Sequence, residues 1–405
     1  MRKEFTALSL RDTVIETRSL PRRDTLQRKK IRRFWRKSLH SIKDIAKLAK
    51  VSPSTVANVI HGRRDRVSGE TFEKVRRILE EQRYVSNMGA RLMASRGSCL
   101  IALVLAYQNE RRTSIVQDPF VSSVIAAVET EVQRKGYFLM LYSNPDMEEC
   151  RKMALAWNVE GVIVLGCKRQ GYYTLREQLD VPIVTIDTCF QEGDRDFVNV
   201  GLCDYEGGKE MTSYLLQRGH RRIGFLSREE GRDHFDPQFI DSARYLGYLA
   251  AYEEWGQRPE ECWALDLSRN PKRRREQFMK LQQKNFFGCT ALFLTSDLLA
   301  LEFLGFCRDR GISVPDELSI AGFDGIREGE RYRPALTTVC QDMREKGTRA
   351  VRELLRLLRR ERERELPRRD IRLPVCIMER ETVEDRGGNP YFGEEPGPSK
   401  KSAFA

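Results

Sequence analysis

The residues with the clearest chemical use lie between positions 52 and 58. Ser52 followed by Pro53 suits the start of a helix, because serine accepts an amide hydrogen bond and proline lacks the donor that would be left over there. On the helix that follows, Val56, Val59 and Ile60 share one face, which leaves Pro53, Ser54, Thr55 and Asn58 turned outward. A carboxamide at Asn58 sets a donor beside an acceptor, the pattern that pairs with N6 and N7 of adenine, while Ser54 is short and permissive.

Other chemistries are thinly represented. Ten cysteines are scattered from Cys99 to Cys376 without C-x-x-C spacing, which excludes a zinc ribbon and reads as buried thiols in a reducing cytosol. The four histidines, His40, His61, His220 and His234, form no pair at metal-ligand spacing, so no metal is expected. There is no G-x-G-x-x-G, P-loop or G-x-S-x-G elbow, hence no visible nucleophile or cofactor cradle; no cofactor and no enzymatic activity are expected. Charges interrupt every apolar stretch, so neither a membrane span nor a secretion signal is expected.

The chain has 405 residues, enough for two or three domains, with 40% hydrophobic and 32% charged residues, a globular balance. Its net charge of +12 is unevenly placed. Residues 1–97 carry 25 Lys/Arg against 10 Asp/Glu, a net +15, and the remainder is slightly acidic. That is the footprint of a nucleic-acid-binding head on a neutral body. Residues 1–40 read as a basic flexible arm in which Arg28–Lys30, Phe34 and Trp35 could track phosphates.

Three short helices follow. Ile42, Ile45, Ala46 and Ala49 are spaced for a helix behind a Ser41-x-x-Asp44 cap, the second helix runs over Pro53–Ile60, and Phe72, Val75, Ile78 and Leu79 stripe a third over Gly69–Gln82. A tight turn between the first two makes a helix-turn-helix unit, placed at 41–85. The stretches SIKDIAKLAKVSPSTVANVIHG and RVSGETFEKVRRILEEQRYVSN resemble the DNA-binding head of the LacI/GalR regulators. The resemblance implies that the second helix enters the major groove, with Pro53, Ser54 and Asn58 toward bases, Ser52 and Thr55 at phosphates, and His61 among the DNA contacts. Residues 86–97, beginning Asn87-Met88-Gly89, resemble the family's hinge helix; Met93 takes the position of the apolar wedge that opens a minor-groove step, and Asn87 joins the implied contacts.

Beyond Gly97, CLIALVLA, YFLMLY, GVIVLG, PIVTID, RRIGFLS, TALFLT and LSIAGFD alternate with helical patterns, which argues parallel sheets. The expected fold is α/β: two doubly wound, Rossmann-like lobes, periplasmic-binding-protein-like, preceded by an all-α helix-turn-helix head. The resemblance continues through Leu216–Gly224, Ala243–Tyr248, Thr295-Ser296-Asp297, Gly322-Phe323-Asp324 and Pro334–Val339, and covers nearly all of 41–382. It implies a body at 98–385 whose lobes exchange the chain near 202, 340 and 367, with a disordered tail at 386–405. Lobe 1 would comprise 98–202 and 340–366, and lobe 2 would comprise 203–339 and 367–385.

Carried over position by position, the resemblance lines an interlobe effector cleft with Asp118, Phe120, Asp187, Arg244, Ser296 and Asp324. Paired carboxylate acceptors, a guanidinium fork and a stacking ring suit a polyhydroxylated ligand. Asp118 and Asp297 also read as helix caps, and Arg244 as the partner of a neighbouring carboxylate. The expectation is a cytoplasmic, nucleoid-associated homodimeric repressor, with double-stranded operator DNA and a small-molecule effector, a sugar or sugar derivative, as partners. Two other classes share the architecture: a solute-binding protein of transport, which would need a secretion signal and no head, and a sugar-converting enzyme using Asp187 and Asp324 as acid and base.

Overall fold

The computed structural model describes residues 41–60, 62–82, 84, 97–107, 115–228, 239–359 and 369–387. They fall into two units, a head up to Arg96 and a body from Gly97. The basic arm, His61, Asn87, Met93 and the tail beyond 387 lie outside the described residues.

In the head, α1 (Ile42–Ala49) begins with a reciprocal cap: the Asp44 amide donates to Ser41 Oγ at 3.2 Å and the Ser41 amide to Asp44 Oδ2 at 2.9 Å. Lys50 closes it at φ 56°, a left-handed position that costs a side-chain-bearing residue about 1 kcal/mol and turns the chain into α2 (Pro53–Ile60). Helix α3 (Gly69–Glu81), capped by Ser68, packs across both. Ile45, Ala46, Ala49, Val56, Val59, Phe72 and Val75 are buried among the three helices, whereas Ile60, Ile78 and Leu79 are only partly covered.

The body winds twice. Its first lobe contains β1 (Leu100–Leu105), α4 (Pro119–Arg134), β2 (Phe138–Ser143), α5 (Met147–Ala156), β3 (Gly161–Leu165), α6 (Arg169–Arg176), β4 (Ile183–Ile186) and β5 (Val198–Leu202). After Leu202 the chain enters the second lobe: α7 (Asp204–Gln217), β6 (Ile223–Ser227), α8 (Ile240–Glu254), β7 (Ala264–Asp266), α9 (Pro271–Gln283), β8 (Ala291–Leu294), α10 (Asp297–Arg310), β9 (Ser319–Asp324), α11 (Arg327–Arg331) and β10 (Thr337–Gln341). It returns at Asp342 for α12 (Met343–Arg359) and β11 (Arg369–Leu373), then crosses once more for β12 (Val375–Met378).

The sheet orders are β11-β5-β4-β3-β1-β2 and β12-β10-β9-β8-β6-β7, parallel throughout except for β12 against β10. The third crossing therefore lies at Pro374, not near 367, because Arg369–Leu373 pairs in register with Val198–Leu202 of the first sheet. All five residues of β3 and all five of β5 are buried, as expected of central strands covered by helices on both faces. In each sheet the winding reverses next to the first strand, between β1 and β3 and between β6 and β8, and a doubly wound sheet offers its binding crevice at the carboxyl ends of strands there.

Candidate functional site

Two regions deserve construction from their residues, one in each unit. At the start of α2, Ser52 Oγ accepts the Thr55 amide at 3.1 Å and lies 2.6 Å from Ser54 Oγ and 2.9 Å from Thr55 Oγ1. Three hydroxyls thus cluster where the helix dipole favours an anion, the arrangement expected at a phosphate. Ser52, Pro53 and Ser54 are exposed, and Thr55 and Asn58 are half-covered by the core behind them. Among the described residues the Asn58 carboxamide has no hydrogen-bond partner, so both its donor and its acceptor remain for a base edge.

In the body, the ends of β4 and β9 carry the carboxylates that matter. Asp187 follows β4 at φ 56° with 9% of its surface exposed, and Lys346 of α12 reaches its two oxygens at 2.8 and 2.9 Å. The same ammonium lies 5.2 Å from the centre of the Phe120 ring. Asp118, two residues earlier, is the cap of α4, accepting the Phe120 amide at 3.0 Å. Asp324 ends β9 at φ 127° and accepts from Gln341 Nε2 at 2.7 Å. Burial pushes its carboxyl up to about 8 against the pull of Arg244.

Tyr107, just beyond β1, joins these groups. Burial, and after it the charges of Asp187, Asp118 and Asp324, hold its phenol well above the ordinary range. Sequence reasoning missed Tyr107, Lys346, Asp204 and Gln341; the position of Tyr107 at the end of the first strand was the available signal.

Arg244 pairs with a neighbouring carboxylate, the second of its two expected roles. Only 7% of it is exposed, and its Nη2 and Nε hold Asp204 Oδ1 at 2.8 and 2.9 Å. Its Nη1 donates to the Thr295 carbonyl and faces Asp241 at 3.8 Å, while its plane covers the Phe323 ring at 3.5 Å. Glycines make this possible: a Cβ on Gly208 or Gly247 would come within 2.1 Å of a backbone oxygen of the facing helix, so α7 and α8 meet closely enough to seat Arg244 beside Asp204. Asp204 is raised to about 6 by burial, with Arg244 opposing.

Ser296 caps α10, accepting the Leu299 amide at 3.3 Å, and its hydroxyl also accepts from Arg228 Nη2 at 2.6 Å. The capping role expected of Asp297 thus belongs to its neighbour. Asp297 is fully buried and accepts from the Ile326 amide at 2.8 Å and from Thr338 Oγ1, tying the loop after β9 to β10.

Comparison with known proteins bears on both units. Residues 41–87 match bacterial regulatory proteins of the lacI family, and residues 212–383 match a periplasmic binding protein-like domain. The transcriptional repressor PurR of Erwinia tasmaniensis is 30% identical over 355 residues, spanning 85% of this chain and 97% of the relative. The chain belongs to the LacI family. The PurR of Pasteurella multocida is 28% identical over 77% of this chain and 90% of the relative. Among solved structures, the lac repressor dimer bound to operator and the anti-inducer ONPF superposes with a TM-score of 0.70 at 22% identity, covering 85% of this chain and 99% of the other. A CelR regulator–cellobiose complex gives 0.62 at 23%, with 85% and 99% covered. This LacI-family member is a DNA-binding transcriptional repressor.

Proposed function

We propose that this repressor works as a homodimer on paired half-sites, reading bases with Asn58, Ser54 and Pro53 and holding phosphates with Ser52 and Thr55, and that its effector is a sugar or sugar derivative bound between the lobes. His61, Asn87 and Met93 complete the proposed DNA contacts. Asp118, Phe120, Asp187, Arg244, Ser296 and Asp324 form the proposed effector set, with Arg244 held in place by Asp204.

The observation that supports the ligand class is the polar set at the ends of β4 and β9: Asp187 held by Lys346 at 2.8 and 2.9 Å, Asp324 held by Gln341 at 2.7 Å, and the Phe120 ring 5.2 Å from the same ammonium. Carboxyl, ammonium and carboxamide groups there both donate and accept, which suits the hydroxyls of a polyhydroxylated ligand, and Phe120 offers an apolar ring face. Regulators of the same fold are solved with cellobiose, D-xylulofuranose and ribose bound, which supports the class. A ligand that fits only one lobe arrangement shifts the populations of both, and operator must lower or raise its affinity by the same factor. The protein acts in the cytoplasm at the nucleoid, as a regulator and not as an enzyme.

Thermal denaturation of the purified chain against a panel of mono- and disaccharides tests this. At least one sugar should raise the transition temperature in a saturable way and alter operator binding, and Asp324→Asn should weaken both effects. Stabilisation by other solutes only, with every sugar inert, would overturn the ligand class.

A further inference from the structure

The antiparallel pair β10 and β12 sets Cys340 directly opposite Cys376. Facing residues in such a ladder point to the same side, with Cα atoms about 4.5–5.5 Å apart. That spacing lies inside the range of about 4.4–6.8 Å that a disulfide spans. No other two cysteines among the described residues are register partners. Cys376 is exposed and Cys340 is half-buried, its sulfur packed against Gly325, where a Cβ would come within 2.5 Å of it. After burial, the Cys376 sulfur is the foremost influence that pushes Cys340 up to about 12. The two sulfurs are therefore neighbours of unequal character, one open to reagents and one held protonated beside it.

Their place in the fold gives the pair a use. Cys340 is followed by Gln341, which holds Asp324, and then by Asp342, where the chain crosses to the first lobe. Cys376 comes two residues after Pro374, the opposite crossing. We propose that Cys340 and Cys376 form a reversible disulfide with small-molecule disulfides as oxidant, fastening together the strands that lead into two of the three lobe crossings. The Cys376 sulfur attacks one sulfur of the oxidant RSSR, making a mixed disulfide and releasing RSH with the Cys376 proton. The Cys340 sulfur then displaces the remaining RS group, which leaves as RSH with the Cys340 proton. Two protein thiols are oxidised by two electrons and one RSSR is reduced to two RSH, so the step balances and runs backward when RSH is in excess. In a reducing compartment such a bond is transient, the behaviour of a sensor and not of a structural staple.

Equilibration of the full chain in glutathione and glutathione disulfide buffers, followed by acid quench, alkylation and peptide mapping, tests the proposal. At the disulfide-rich end one internal bond should link the Cys340 and Cys376 peptides, and excess glutathione should restore both thiols. Cys340→Ser should leave glutathione attached at Cys376 with no internal bond, and Cys376→Ser should leave Cys340 a free thiol. Hydrogen exchange of the Asp342 and Val375 amides should slow severalfold in the linked form. The proposal is overturned if the wild-type chain stops at a Cys376 mixed disulfide, if either cysteine pairs elsewhere, or if both stay free while Cys262 reacts. Unchanged exchange in the linked form would overturn the claim that the bond restrains the crossings.

Discussion

Lys346 and Asp187 stand 159 positions apart in the chain, yet the ammonium touches both carboxylate oxygens, at 2.8 and 2.9 Å. Their side chains are 1% and 4% exposed, so each is the other's compensation for lost water. The pair ties β4 to α12, which the chain reaches only after its excursion through the second lobe.

Removing the cation should therefore be severe. Lys346→Ala is expected to cost about 3–5 kcal/mol, the usual penalty for leaving a buried charge unpaired. Urea unfolding gives the number, and the double variant Lys346→Met with Asp187→Leu should recover most of it. A loss below about 1 kcal/mol for the single variant would mean that water reaches Asp187.

A similar argument applies to Arg244, with a different geometry. Arg244→Ala should cost about 3–5 kcal/mol because Asp204 is left buried without its partner, and Arg244→Lys should rescue little, since one ammonium cannot serve Asp204 and the Thr295 carbonyl together. Combining Arg244→Ala with Asp204→Asn should cost less than the sum of the single changes. A folded, fully stable Arg244→Ala protein would return this arginine to the role of a free ligand donor.

Asn58→Ala should weaken binding to the preferred operator by about 1–3 kcal/mol and relax selectivity at one base pair of each half-site. Binding to a randomised operator library separates this from a phosphate contact, which would weaken all sequences alike.

The buried carboxyls make stability depend on pH with a definite sign. Asp324 holds its proton up to about 8, whereas the unfolded chain releases it near about 4. The folded body thus binds the extra proton, and its contribution is full at low pH and is lost as pH rises through about 8. Asp204 and Asp297, both raised to about 6 by burial, act in the same sense over a lower range. His220, held down to about 4 by burial, opposes them, since its contribution is lost as pH falls. Above pH ~7 Asp324 dominates this set. Unfolding free energy should decline between pH ~6.5 and ~8.5, and Asp324→Asn should flatten that decline in denaturant titrations at each pH.

Most of this architecture was legible because its signals are local. The strands β1, β3, β4, β6, β8 and β9 are apolar runs between helical patterns, and the caps at Ser41 and Ser52 stand in the order their hydrogen bonds require. Strand β11 reads Arg-Asp-Ile-Arg-Leu, an edge strand whose charged residues hide its membership, and the last crossing was displaced for that reason. Carboxylates at strand ends were found through family resemblance, but their partners were not. Lys346 lies among the many basic residues of α12, and nothing in its spacing shows that this one turns inward to Asp187. Burial of Arg244 depends on the close meeting of α7 and α8, which one helix read alone cannot reveal.

The crossing at Pro374 has a consequence for how the molecule comes into being. β5 ends at Leu202, and its sheet neighbour β11 begins at Arg369. At roughly 5–20 residues per second, a ribosome needs on the order of ten to thirty seconds to deliver that neighbour. Throughout this interval the first sheet carries an unpaired edge in which the Asn199 side chain, later bonded to Asp370 at 2.8 Å, still lacks that partner. The two lobes mature in reverse of the order in which their first strands emerge: the second can assemble most of its sheet from one continuous stretch, while the first, begun earlier, waits for nearly the last of the body to leave the exit tunnel. Nascent chains stalled before Arg369 should therefore be the ones that aggregate or recruit chaperones.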